Sequence, residues 1–185
     1  MQAYDDYVAQ NGGIDARKIV ITGKDDQYAP AATKTNSDEA LAENKYAAFV
    51  SMLGTPNNLG IWDDTNRECM PQLLNGTGAA QWGDVEHHPW TTGAQLDYFS
   101  EAGRWVDWLK QKYPNGVKVA SITFNSDFGQ SYLKGFKHAI EGTNIQLVGD
   151  FEHGLTGKDT YTILNLKDPS TPPTPVIPSS RPTTT

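Results

Sequence analysis

Between Lys118 and Gly142 the sequence spells out one strand, one short polar turn and one helix, and this unit restricts the fold more than any other stretch. Val117, Val119, Ile122 and Phe124 form a β-branched and aromatic run of the kind that fills a buried strand. Asn125-Ser126-Asp127-Phe128-Gly129 follows, a polar turn holding one aromatic. Tyr132, Phe136, Ala139 and Ile140 then share one face of a helix. Gly142 closes it, where a positive φ costs little. Such a turn stands at the carboxyl end of a strand, the place where open α/β sheets hold small ligands.

The same alternation runs through the rest of the chain. Ala3 to Gln10 reads as a helix ended by Asn11-Gly12-Gly13, and Lys18 to Thr22 as a strand. Asp25-Asp26-Gln27-Tyr28 is the loop after it, and Pro30 opens a helix running to about Asn44, since proline at a first turn loses no hydrogen bond. Ala47 to Leu53 is the next strand, Gly54-Thr55-Pro56-Asn57-Asn58 its outgoing loop, and Leu59 to Arg67 a short helix. Met70 to Leu74 reads as a strand leading into Asn75-Gly76-Thr77-Gly78. Gly93 to Tyr113 is the longest helical stretch, with Leu96, Phe99, Ala102, Val106, Leu109 and Tyr113 as its stripe. Pro114-Asn115-Gly116 stops it, and Ile145 to Val148 supplies one more strand. Strands alternating with helices imply parallel pairing with right-handed crossovers, the doubly wound α/β class.

The rhythm stops after Gly149-Asp150. Residues 168 to 185 hold six of the 11 prolines, and most of the rest is Ser and Thr. Helix cannot run through such proline density, so the end reads as disordered or extended, a truncated or frame-shifted terminus rather than a natural stalk.

Charge and composition exclude several functions. A net charge of −7 with 15 scattered basic residues and no basic run beyond Arg17-Lys18 argues against nucleic acid. Cys69 is the only cysteine, which rules out an internal disulfide and a cysteine zinc site. No apolar run approaches the ~18 residues of a membrane span, and no basic-plus-apolar leader stands at Met1. Gln2 to Val8 instead looks like the middle of an amphipathic helix, so the natural start is expected to lie upstream.

Chemistry-bearing clusters are few. Asp127-Phe128-Gly129 has the form of a kinase metal-binding tripeptide but lacks its companions, a glycine-rich loop and a His-Arg-Asp triplet. Asp84, Glu86, His87 and His88 are the only grouping of metal-ligand types. Adjacent histidines do not face one ion on regular structure, so a solvated loop is expected and no metal or cofactor is called for. Asp25-Asp26 and Asp63-Asp64 are neighbours that point apart, better suited to caps and turns than to paired acid–base work. Neither a Gly-x-Ser-x-Gly elbow nor a phosphate loop occurs. Of the tryptophans, Trp105 on the long helix reads as packing, whereas Trp82 and Trp90 lie in loop sequence.

Three loops share one character: Gly54-Thr55-Pro56, Gly76-Thr77-Gly78 and Asn125 to Gly129. Each joins a strand to helical sequence and offers hydroxyls, amides or free backbone N–H groups at a helix start. Those groups suit a carboxylate, although ordinary strand–helix connection explains them equally well.

The passages "NGGIDARKIVITGKDDQYAPA", "FVSMLGTPNN", "MPQLLNGTGAAQWGD" and "VKVASITFNSDFGQSYLKGFKHAIEG" together resemble the solute-binding proteins of branched-chain amino-acid-type ABC transporters, the type I periplasmic-binding-protein fold, over roughly residues 3 to 153. The resemblance implies two α/β lobes closing on a small solute, here residues 1–92 and 93–153, with 154–185 as a disordered tail. It implies a non-catalytic protein that delivers an amino acid or related carboxylate to a membrane permease from the periplasm, after an export signal that this chain lacks. By the same resemblance Gly54 and Thr55 meet the ligand carboxylate, Gly76, Thr77 and Gly78 its carboxylate and amine, and Phe128 covers it from the second lobe. Many members carry a tyrosine at that last position, so Phe128 offers one hydroxyl fewer. The family's opening strand would precede Met1 and the rest of its second lobe would follow residue 153, which makes the chain a fragment of poor expected stability and affinity. The alternatives are a small α/β enzyme with unrecognised catalytic groups, or a truncated fragment without function.

Overall fold

The structure, a computed structural model, describes residues 2–154 and 176–178. Helix α1 (Gln2–Gln10) leads into α2 (Pro30–Glu43), β1 (Phe49–Val50), α3 (Thr55–Arg67), β2 (Gln72–Asn75), a 3-10 turn (Ala80–Gly83) and β3 (Thr91–Gly93). The second half runs α4 (Tyr98–Lys112), β4 (Val117–Phe124), α5 (Asp127–Ala139), β5 (Ile145–His153) and β6 (Val176–Pro178). Two parallel three-stranded sheets result, ordered β1-β2-β3 and β5-β4-β6. This is the doubly wound α/β arrangement that strand–helix alternation implies.

The two halves are filled differently. Tyr98, Ala102, Val106 and Leu109 of α4 pack with Tyr132 and Phe136 of α5 onto Val119 and Ile145, an apolar core. Trp105 stacks on Tyr132 with ring centroids 4.8 Å apart, so it is a packing residue as read. Around the first sheet the interior is polar. Gln72, fully buried, accepts from the hydroxyls of Thr65 (2.9 Å) and Thr91 (3.2 Å), while buried Asn58 donates to the Met52 and Gly54 carbonyls. Such an interior is stable only because its polar atoms are largely paired with one another.

Several elements differ from their sequence reading. Lys18 to Thr22 forms no strand: Ile19 and Val20 are exposed, and no described strand stands beside them to take their ladder bonds. The Ala47–Leu53 strand shrinks to two residues because Ser51 turns left-handed (φ 55°), with Leu53 bridging Gly76 beyond the break. Helix α3 begins at Thr55 rather than Leu59, drawing Thr55 to Asn58 out of the loop. The third predicted strand shifts to Gln72–Asn75, and Thr91–Gly93 forms a short strand that no periodicity announces. Phe128 and Gly129 belong to the first turn of α5, not to a loop. β5 extends five residues past Val148 by pairing with β4 as far as Phe124↔His153. Val176–Pro178, inside the stretch read as disordered or extended, is extended and pairs with β4 through Ala120↔Val176. The rest of the predicted tail lies outside the described residues.

Helix α4 shows why one stripe was misplaced. Asp97 caps it, its carboxylate accepting from the Ser100 N–H at 2.9 Å, so Leu96 lies outside the helix and is exposed. The buried face starts at Tyr98 instead of Phe99, which is half in solvent. Hydrogen bonding from Ser100, side chain first and backbone N–H with it, holds the Asp97 carboxyl below its usual value against the opposing effect of burial. A depressed folded-state value means stabilisation that is complete above the unfolded value of about 4 and is lost as pH falls through the lower folded one. Asp97→Ala should therefore cost about 1 kcal/mol at pH 7. The gap from the parent protein should narrow below about pH 4, read by urea melts across the range.

Candidate functional site

The site is built at the carboxyl ends of β1, β2 and β4. After β1, Gly54 caps α3 with φ +96°, a conformation that L side chains resist. No side chain caps this helix and Pro56 occupies its first turn, so the first-turn N–H groups keep no side-chain partner. Thr55, the first helical residue, is buried, as is Thr77 after β2. Their hydroxyl oxygens lie 2.6 Å apart. Tyr98 donates its hydroxyl to Thr77 at 3.3 Å, and Gln95 donates its amide to Tyr98 at 3.2 Å.

Tyr98 spends its proton on Thr77, and between Thr77 and Thr55 either hydroxyl can donate, so one threonine proton is left over for a further acceptor. Where Thr77 donates, that proton belongs to Thr55, the first residue of α3. Donor hydroxyl and helix dipole act together there on negative charge.

Phe128 reaches the same cluster from the first turn of α5. Its ring meets Tyr98 edge-on at 5.0 Å and Tyr132 at 5.4 Å. Tyr132 in turn lies 4.4 Å from Tyr98 and donates to Glu101 at 2.6 Å. Helix α5 also starts without a side-chain cap, and the buried Ser126 hydroxyl above it has no partner among the described residues.

Of the six residues singled out from sequence, Thr55, Thr77 and Phe128 are thus joined through Tyr98, which sequence reasoning passed over. Gly78 belongs with them, because a Cβ there would stand 2.8 Å from the Tyr98 ring and 2.5 Å from the Leu96 carbonyl. Gly54 carries the ring of Tyr28 over its α carbon. Gly76 sits apart, with its N–H donating to the Met52 carbonyl and its open side against Leu53. The signals that could have found them are the Asp97 cap before Tyr98 and the Asp25-Asp26 pair before Tyr28.

The acidic and histidine loop forms a separate cluster. Asp84 bonds the ring of His87 at 2.8 Å and that of His88 at 3.4 Å. The other ring nitrogen of His88 meets Asp63 at 2.8 Å, and the imidazole stacks on Trp62 at 3.6 Å. Glu86 is exposed and apart. The bond from His87 holds the Asp84 carboxyl below its ordinary value. Trp82 is buried edge-to-face against Trp62, whereas Trp90 is exposed and contributes its backbone to the β2 ladder.

Comparison with known proteins gives these elements a context. No curated protein sequence matches the chain. Solved structures do. A fatty acid ABC transporter substrate-binding protein from Thermomonospora curvata superposes with a TM-score of 0.78 at 23% identity, over 89% of this chain and 41% of that one. A branched chain amino acid ABC transporter protein from Thermus thermophilus with bound valine gives 0.77 at 20% identity, over 88% and 42%. A solute binding protein of an ABC transporter from Rhodopseudomonas palustris, in complex with 3,4-dihydroxy benzoic acid, gives 0.73 at 20% identity, over 88% and 44%. The chain therefore spans less than half the length of these structures, and at such identities they speak for the fold alone. The family profile described as periplasmic binding protein matches residues 1–165. On that match and this architecture, the chain belongs to the periplasmic binding protein family.

Proposed function

We propose that this chain is the solute-binding part of an ABC importer, holding a small carboxylate between two lobes, residues 1–92 and 93–153, for delivery to a membrane permease. One observation carries the reading. The hydroxyl chain Tyr98–Thr77–Thr55 reaches the start of α3, which no side chain caps, and Phe128 of α5 packs edge-on against Tyr98. A donor at a helix N-terminus recognises an anion, and aromatic cover excludes water from it. Lobe closure around such a site is the usual way a binding protein commits its ligand. Extracytoplasmic location follows from the family.

The described residues support a carboxylate more directly than an amino acid. Asp26, in the loop before α2, already accepts from the Tyr28 N–H, the Thr33 hydroxyl and the Asn57 amide, and Glu101 from the Tyr132 hydroxyl. The relatives with known structure differ in the same respect, since valine and 3,4-dihydroxy benzoic acid share a carboxylate but not an amine. Calorimetric titration with L-valine, benzoate, 3,4-dihydroxybenzoate and a medium-chain fatty acid tests the reading. Saturable binding of at least one, with the solute recovered unchanged, is expected. Conversion of a bound solute into product would place the chain among enzymes instead.

A further inference from the structure

We propose that Tyr28 is a specificity-determining residue of this site, its phenol donating a second hydrogen bond to the ligand's carboxylate across Gly54 from Thr55. The inference rests on the binding reading above. Its starting point is where the ring lies. A Cβ built on Gly54 would stand 2.8 Å from Cε2 and 3.1 Å from Cζ of Tyr28, so the hydroxyl-bearing end of the ring covers the residue that caps α3. On its other side the ring faces Phe124 of β4 at 6.4 Å. Tyr28 therefore sits between the start of α3 and the end of the second sheet.

No described residue forms a hydrogen bond with the Tyr28 hydroxyl, although the side chain is half-buried. Loss of water raises the phenol above its ordinary value, with the nearby Tyr98 and Asp26 adding to the rise. It therefore stays protonated and able to donate at neutral pH. A protonated phenol at a partly desolvated position has a donor to offer a ligand oxygen.

The backbone is bent to put it there. Gln27 and Tyr28 are both left-handed, at φ 49° and 59°, which neither residue type favours. Two carboxylates hold them: Asp25 accepts the Gln27 N–H at 2.8 Å and Asp26 the Tyr28 N–H at 2.9 Å. Asp26 is itself anchored by Thr33 at 2.5 Å and by the buried Asn57 amide at 3.0 Å. Strain maintained by so many bonds at one loop marks a position that is aimed.

Tyr28→Phe keeps the ring and removes only the hydroxyl. In calorimetric titrations it should weaken the best-bound carboxylate of the panel about tenfold or more. Binding of the corresponding primary amide, a neutral acceptor, should weaken less, so that discrimination between carboxylate and amide narrows. The unfolding midpoint of the ligand-free protein should not fall. Equal affinity of Tyr28→Phe and the parent protein for the carboxylate would overturn the assignment alone. So would equal losses for carboxylate and amide, which would mean that the hydroxyl does not tell a charged oxygen from a neutral one, or a ligand-free midpoint lower by several degrees. If the parent protein binds no member of the panel, the binding reading falls and takes this assignment with it.

Discussion

Gly129→Ala is expected to lower the unfolding midpoint by about 6–12 °C, the equivalent of about 3 kcal/mol in a chain of this size. A Cβ at Gly129 would lie 2.0 Å from the carbonyl oxygen of Phe124 and 2.9 Å from its carbonyl carbon. Both are backbone atoms at the end of β4, so no rotamer change relieves the clash. The first turn of α5 would have to lift from the strand, taking Phe128 away from Tyr98. Gly103→Ala in α4 is the control. Nothing stands within 4 Å of its added carbon, and helix propensity favours alanine by about 1 kcal/mol. Thermal melts of the two variants should move in opposite directions. Equal behaviour would mean that α5 does not rest on the β4 carbonyl as described.

Thr77→Val is the second large effect, and it acts on binding. The substitution keeps the shape of a fully buried side chain but removes the oxygen that accepts from Tyr98 and pairs with Thr55. Thr55 then loses its hydroxyl partner. Loss of a hydrogen bond to a charged group costs ~1.5–3 kcal/mol, so affinity for a carboxylate should fall by about one to two decades. Thr55→Val should lose as much, because it removes the terminal donor itself. The double variant should lose little more than either single one, since the residues act in one chain. Affinities unchanged in both variants would remove these loops from the site.

Much of this was legible because the informative residues are local. The strand at Val117–Phe124, its polar turn and the α5 face follow from composition and spacing, and the fold class follows from alternation. Thr55, Thr77 and Phe128 are reached through the family resemblance, because hydroxyls after a strand suit ordinary strand–helix connection equally well. What sequence hides is contact. Tyr98 connects all three, yet helical spacing favours Phe99 just as well until the Asp97 cap sets the phase. Ile19 and Val20 have every mark of a strand, but a strand is defined by a neighbour, which no residue-by-residue reading supplies. The left-handed turn at Gln27 and Tyr28 is invisible because neither residue favours it; only carboxylates brought from the loop and an amide brought from α3 hold it in place.

The central claim is that one small carboxylate is held by both halves of the chain. Backbone amide NMR, with the best-bound carboxylate titrated in, tests it most directly. The account predicts saturating shifts at Gly54, Thr55 and Thr77 and, at the same ligand concentrations, at Phe128 and Gly129. Shifts confined to one half, or a titration that leaves all five amides in place while the solute binds elsewhere, would contradict it.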